Sequence, residues 1–295
     1  MTSRRNRAID GISTSDGIAR SADDRTRLRM NGLRIGALAR LAMLCTGTLG
    51  LVLAQLVVMR VAPSRRGALP LRFHRLTCWC LGVRRQVRGA PPPAGTGALI
   101  VANHVSWLDI GVIGAERELA FVAKSEVGEW PVVGFLANLQ RTLYIDRQRR
   151  SATAGMAATM GARIAGGEEV VLFAEGTTGD GTRILPFRSS LLGAAHQAMG
   201  DATADVTVYP LTLTYTGWQN LPGGRVGRAA LAWYGDTELW PHLKHVLECG
   251  AIDVELVWGE PIVMGRATSR KEATRLAEAS VRKARRRAVT GRPEA

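Results

Sequence analysis

The apolar positions of this chain fall into two regimes. From Leu41 to Met59 they form "LAMLCTGTLGLVLAQLVVM", nineteen residues without a charge. That is just enough for a membrane-spanning helix, which needs at least roughly 17 residues. From residue 97 onward the pattern breaks into short apolar runs, separated by turn residues and helix-like stretches, as buried strands alternating with helices do. The strand-like runs are GALIVAN (97–103), LAFVAK (119–124), TLYID (142–146), EVVLFAE (169–175), DVTVYPLTLTY (205–215), AALAWYG (229–235) and DVELVWG (253–259). Between them, SATAGMAATMGARIAGG (151–167) and SSLLGAAHQAMG (189–200) read as helices that end on glycine. A last helix opens on "SRKE" (269–272), Ser followed three residues later by Glu, the pattern of a capping box. Alternating strands and helices predict an α/β fold built on one mixed sheet flanked by helices.

The segments before residue 97 are of a different kind. Residues 1–31 are polar, basic and without periodic apolar positions, which predicts a disordered tail. "SRRNR" is not followed promptly by an apolar region or a small-residue cleavage site, so a twin-arginine export signal is disfavoured. Residues 32–86 predict a membrane-associated helical segment. Arginines flank the apolar run on both sides, at Arg34 and Arg40 and again at Arg60, Arg65 and Arg66. A spanning helix normally has its cations on one side, so a hairpin dipping into one leaflet is favoured over a single span, and a buried core helix is the third reading. "PLRFHRLTCWCLGV" (70–83) sets apolar residues against Arg72, His74 and Arg75, as an interfacial helix does. "VRGAPPPAGTG" (87–97) then reads as a linker into one large domain over 98–295.

Composition narrows the partners. A net charge of +14 favours anionic surfaces or substrates. The four cysteines, Cys45, Cys78, Cys80 and Cys249, have neither metal-site nor disulfide-framework spacing, so a reducing compartment is expected. His242 and His245 could share a helix face, but no third metal ligand stands out and a solvated helix end is the simpler reading. The turn "GTTGDG" (176–181) lacks the lysine of a phosphate-binding P-loop. "RKARRRA" (282–288) is a basic helical face, read as solvated. No metal, redox cofactor or nucleic-acid partner is implied.

Chemistry concentrates at the ends of the strand-like runs. "NHVSWLD" places His104 and Asp109 five residues apart after the first run, "YIDR" ends in Arg147, and "FAEGT" breaks from a strand into a glycine turn. Pro210 interrupts the fifth run, which is tolerated at an edge or a bulge. A carboxylate bonded to one ring nitrogen of a histidine fixes its tautomer and leaves the other nitrogen as a base.

These blocks, in this order, resemble the lysophospholipid (1-acyl-sn-glycerol-3-phosphate) acyltransferase family. "NHVSWLD" matches the family's Asn-His-x4-Asp, "YIDR" its Phe-Ile-x-Arg with Tyr144 for Phe, and "FAEGT" its Phe-Pro-Glu-Gly-Thr with Ala174 for Pro. Pro210 matches a fourth, apolar block, and the whole resemblance covers residues 95–215. It implies a glycerol-3-phosphate acyltransferase-like fold and transfer of an acyl group from acyl-CoA or acyl carrier protein to a lyso-lipid hydroxyl. His104 would be the base and Asp109 its partner, with no acyl-enzyme. The oxyanion donors would be backbone N–H groups near Gly176 or in the helix after His104. Arg147, Glu175, Gly176 and Thr177 would hold the acceptor, and Lys124 matches a family lysine that could meet phosphate. Many relatives that use lysophosphatidic acid carry Arg directly after Glu-Gly-Thr; here Thr178 stands there and Arg183 comes later. Lysophosphatidic acid, giving phosphatidic acid, is the first acceptor expected and lyso-ornithine lipid the alternative. The resemblance also implies an enzyme at the inner membrane with its domain on the cytoplasmic side. A non-enzymatic, membrane-anchored basic protein would explain the charge and the apolar run but not four ordered blocks. A hydrolase would release free fatty acid without any lyso-lipid present.

Overall fold

The computed structural model describes residues 15–145, 150–197, 205–265 and 268–291. The chain opens with α1 (Ser15–Val61), turns through a short 3-10 segment at Pro63–Arg65 and returns in α2 (Ala68–Cys80). Then follow β1 (Val83–Arg88), β2 (Ala98–Ala102), α3 (Leu108–Gly114), β3 (Ala120–Lys124), α4 (Ser125–Gly128), α5 (Pro131–Leu139), β4 (Leu143–Ile145), α6 (Arg150–Ala165) and β5 (Glu169–Phe173). The second half holds α7 (Ser189–Gln197), β6 (Val206–Trp218), β7 (Leu221–Pro222), α8 (Arg225–Leu231), α9 (Leu239–Cys249), β8 (Ile252–Trp258), β9 (Ile262–Met264) and α10 (Arg270–Thr290).

The strands form one mixed sheet in the order β1-β8-β6-β2-β5-β3-β4, with β7 and β9 also pairing β6. β2 lies parallel to both β5 and β6, so all three carry their carboxyl ends to one rim. Side chains alternate between the two faces, as the pleat requires. Leu99, Val101, Val170 and Leu172 pack with Met160 and Ile164 of α6, Leu192 of α7 and Val281 of α10. Ile100, Ala102, Val171 and Phe173 pack on the other face with Leu108, Val112 and Ile113 of α3. β2 and β5 are buried along their whole length, which is why they read as continuous apolar runs. Pro210 sits inside a central strand, at the seam where the partner of β6 changes from β9 to β8. Gly259 N–H bridges that seam to the Pro210 carbonyl at 2.8 Å.

Several expectations are corrected. Residues 229–235 do not form a strand: α8 covers them as far as Leu231 and the rest is irregular, since a short apolar run does not by itself distinguish helix from strand. The linker assigned to 87–97 starts too early, because Val87 and Arg88 belong to β1, which pairs parallel with β8. β1 is an edge strand, "VRRQVR", whose outer residues are mostly exposed, so it has no apolar signature and the sheet begins before residue 98. Residues 15–31, expected to be disordered, continue α1; extending an existing helix adds one hydrogen bond per residue, without a new nucleus. Residues 1–14 lie outside the described residues. α2 is not simply interfacial: Leu69, His74, Thr77, Cys78 and Cys80 are buried, with Cys78 donating to the Gly111 carbonyl of α3. The expected glycine end of α7 at Gly200 falls outside the described residues, whereas Ser269 caps α10 by accepting from Glu272 N–H.

Between Ile35 and Val61, α1 is long and apolar enough to cross a membrane. Leu49, Leu53, Leu56 and Val57 face outward. Its inner side is tied to the domain: Arg40 donates to the Leu247 carbonyl at 2.8 Å, and Gln55 donates to the carbonyls of Arg66 and Leu139. α1 and α2 therefore form a hairpin fixed against the sheet domain, with the apolar side of α1 left open.

Candidate active site

The site begins where β2 leaves the sheet. Asn103, fully buried, pairs its amide with Leu213 of β6: Nδ2 donates to the Leu213 carbonyl at 3.0 Å and Oδ1 accepts from Leu213 N–H at 2.9 Å. The side chain thus extends the β2–β6 ladder one step past Ala102↔Leu211, freeing the backbone to turn. The next residue, His104, then stands on the rim.

Asp109, in the first turn of α3, comes back to it. His104 Nδ1 lies 2.8 Å from Asp109 Oδ2, and the same oxygen accepts from Val105 N–H at 2.6 Å and Ser106 N–H at 2.9 Å. Oδ1 accepts from the Tyr215 hydroxyl at 2.6 Å. The Asp109 side chain is 0% exposed, and a buried carboxylate needs such partners to stay ionised. Burial, then the charge and hydrogen bond of Asp109, push the Tyr215 phenol well above its ordinary pKa, so it remains a donor. Phe173 stacks on the His104 ring, with centroids 3.8 Å apart and planes 13° apart. With Nδ1 held and one face covered, the ring keeps 17% exposure. A proton placed on Nδ1 by Asp109 leaves Nε2 as the basic nitrogen.

Glu175 occupies the turn after β5, and backbone donors hold its carboxylate. Its Oε1 accepts from His104 N–H at 2.9 Å and its Oε2 from Leu185 N–H at 3.0 Å, with 2% of the residue exposed. Both oxygens are taken up by backbone, so Glu175 ties the far end of the 176–185 loop to the histidine. Burial pushes its carboxyl up to about 7, against the lowering effect of those two N–H groups. Arg188 clamps the same turn, donating its backbone N–H to Ala174 and its Nε to the Glu175 carbonyl. Gly176 has φ 72, a left-handed turn that strains any side chain. Its N–H donates to the Phe173 carbonyl at 3.1 Å. The oxyanion donors anticipated there and after His104 are therefore engaged at Gly176, Val105 and Ser106.

Of the expected site residues, the structure gathers His104, Asp109, Glu175 and Gly176. Thr177 and Arg183 are exposed on the loop beyond them. Lys124 is exposed at the end of β3, on the same rim but across β5 from β2. Arg147 lies outside the described residues. His242 is not on a solvated helix end: it is buried and its Nδ1 accepts from Trp107 Nε1–H at 2.9 Å. Burial, with the neighbouring His245, lowers its pKa. Among the described residues no group of three metal-ligating side chains occurs. Sequence reasoning missed Asn103, Tyr215 and Arg188, whose partners are set by the folded sheet and loop. It also misread His242, whose burial no local pattern marks.

A histidine base backed by a buried carboxylate, opening on a strand rim, suits proton removal from a hydroxyl. The comparisons agree with that chemistry. The profile of the Acyltransferase family matches residues 84–214. A lyso-ornithine lipid O-acyltransferase of Brucella abortus (strain 2308) is 42% identical over 251 residues, which is 84% of this chain and 94% of the Brucella protein. One of Rhizobium meliloti (strain 1021) is 41% identical over 237 residues, 80% of this chain and 81% of that protein. A 1-acyl-sn-glycerol-3-phosphate acyltransferase of Neisseria meningitidis serogroup B (strain ATCC BAA-335 / MC58) is 31% identical over 136 residues, 46% of this chain and 53% of that one. The crystal structure of the 1-acyl-sn-glycerophosphate (LPA) acyltransferase of Thermotoga maritima overlays with TM-score 0.62 at 19% identity, covering 91% of this chain and 99% of that one. At that identity the overlay shows the fold alone.

Proposed function

The chain belongs to the acyltransferase family, and we propose that it is a membrane-associated lyso-ornithine lipid O-acyltransferase. His104, backed by the buried Asp109, supports the reaction. What carries the acceptor is the likeness to the Brucella enzyme over 94% of that enzyme's length, against 53% for the Neisseria phosphate-acceptor enzyme. The second acceptor expected from the sequence thereby moves ahead of the first.

In the proposed mechanism the acceptor hydroxyl donates to His104 Nε2. As its oxygen attacks the thioester carbonyl of acyl-CoA or acyl carrier protein, the proton passes to Nε2. Asp109 stabilises the imidazolium through Nδ1–H. The tetrahedral intermediate then expels the thiolate, which takes the proton from Nε2, leaving an ester and a free thiol. The alcohol is itself the nucleophile, so the proposal includes no acyl-enzyme, metal or redox cofactor. The open apolar side of α1 and its flanking arginines support placement at a membrane surface. The cytoplasmic side of the inner membrane would give access to either thioester donor.

The test is purified protein in detergent with radiolabelled acyl donor, offered lyso-ornithine lipid and lysophosphatidic acid in separate reactions. Label in ornithine lipid at the higher kcat/KM supports the proposal. Label confined to phosphatidic acid contradicts it, and free fatty acid without either acceptor identifies a hydrolase instead.

A further inference from the structure

The loop after Glu175, "GTTGDGTR" (176–183), is longer than a simple turn requires and is fastened on several sides. Gly179 N–H donates to the His104 carbonyl at 2.8 Å. Arg285 of α10 donates to the Gly181 carbonyl at 2.7 Å. Leu185 N–H is held by Glu175. Asp180 therefore follows directly on the residue that touches the His104 backbone, about 3.8 Å further along the chain. Its carboxylate is oriented by Thr182, whose N–H donates to Oδ1 at 2.8 Å and whose hydroxyl lies 2.8 Å from both Oδ1 and Oδ2.

The charges around Asp180 are mixed. The Thr182 N–H and hydroxyl, then the Arg183 N–H and charge, hold its carboxyl below the usual carboxylate range, outweighing its slight burial. Arg285 feels both Asp180 and Glu175, while burial and then the neighbouring Arg228 lower its own pKa. Arg228 is only 9% exposed, and its Nε has no hydrogen-bond partner among the described residues. One half-exposed carboxylate, held by Thr182 but with acceptor capacity left, thus stands among guanidiniums that are not matched one for one with carboxylates. A phosphate monoester, with about −1.5 to −2 charge at neutral pH, would meet repulsion from Asp180. A headgroup with one ammonium and one carboxylate would be matched in both signs, and ornithine acylated on its α-nitrogen is such a headgroup.

We infer that this loop is the acceptor headgroup site, with Asp180 receiving the ornithine side-chain ammonium and Arg183 and Arg285 facing its carboxylate. The inference rests on the acceptor proposed above. It assigns Asp180 as a specificity residue that favours a zwitterionic aminoacyl lipid over a phosphate-bearing one.

The experiment compares wild type and Asp180→Asn on three acceptors: lyso-ornithine lipid, its norvaline analogue without the side-chain amine, and lysophosphatidic acid. Asparagine keeps the Oδ1 that accepts from Thr182 N–H but puts an amide NH2 where Oδ2 meets the Thr182 hydroxyl, so a melting curve checks the fold. A charge-assisted contact predicts at least about a tenfold preference of wild type for ornithine over norvaline, carried mainly by KM. That preference should vanish in the variant, and lysophosphatidic acid should be used no worse than by wild type. The wild-type comparison needs no variant, so it stands even if Asp180→Asn does not fold. Equal use of both aminoacyl lipids by wild type, or an equal loss on all three acceptors in the variant, would overturn the inference. A wild type that uses lysophosphatidic acid but neither aminoacyl lipid overturns the acceptor proposal itself, and this inference with it.

Discussion

Replacing Tyr215 by Phe removes a single O–H from the deepest part of the site. The ring stays, so packing on β6 is unchanged, and the loss falls on Asp109 Oδ1, for which the hydroxyl at 2.6 Å is the donor the structure shows. A hydrogen bond to a charged group is worth about 1.5–3 kcal/mol, and leaving the group buried without it exposes the full desolvation penalty. We expect the variant to lose about 1.5–3 kcal/mol of unfolding free energy. Denaturant unfolding in detergent would measure the loss. A stability within about 0.5 kcal/mol of wild type would refute this reading of Tyr215, because surface substitutions already span that range.

Three further outcomes follow from the same geometry. Asp109→Asn keeps the size but presents an amide to donors at Val105, Ser106 and His104, so kcat should fall by about 10³–10⁴ in the labelled-acyl assay. Asn103→Ala strands the buried Leu213 N–H and carbonyl, and should lower unfolding free energy by about 2–5 kcal/mol in urea titrations. Glu169, beside Arg117, is pushed up to about 7 by burial, as Glu175 is. The unfolded chain releases those protons near its ordinary value of 4.5. These two groups therefore favour the fold most below that pH, and their contribution is lost as pH rises to about 7. Melting temperatures between pH 4.5 and 7 should fall more steeply for wild type than for Glu169→Gln.

Much of the central sheet was legible because its strands are either buried throughout and almost wholly apolar, as in β2 and β5, or alternate in burial, as in β8. β1 was not, since an edge strand of "VRRQVR" buries little and follows no apolar rule. AALAWYG misled because alanine and leucine suit a helix as readily as a buried strand. Within the site, His104 and Asp109 were readable because one helical turn joins them. Asn103 and Leu213 are 110 positions apart, and Asp109 and Tyr215 are 106 apart; their meeting depends on β6 lying beside β2. Glu175 was identified by its motif but its backbone partners were not, because only the folded loop brings Leu185 and His104 to its two oxygens. Arg285 was read as a solvated cation on a basic helix, whereas α10 crosses beneath the loop and turns that side chain onto Gly181.

The most direct test of the account is a single-turnover experiment with His104→Gln beside wild type, following labelled acyl donor, lyso-ornithine lipid and protein together. Wild type should move label straight into ornithine lipid, with none attached to protein even when acceptor is withheld. The variant should be slowed by about 10²–10⁴ while its melting temperature is retained. A variant that transfers at the wild-type rate, or a wild type that accumulates acyl-protein without acceptor, would contradict direct transfer by a His104 base.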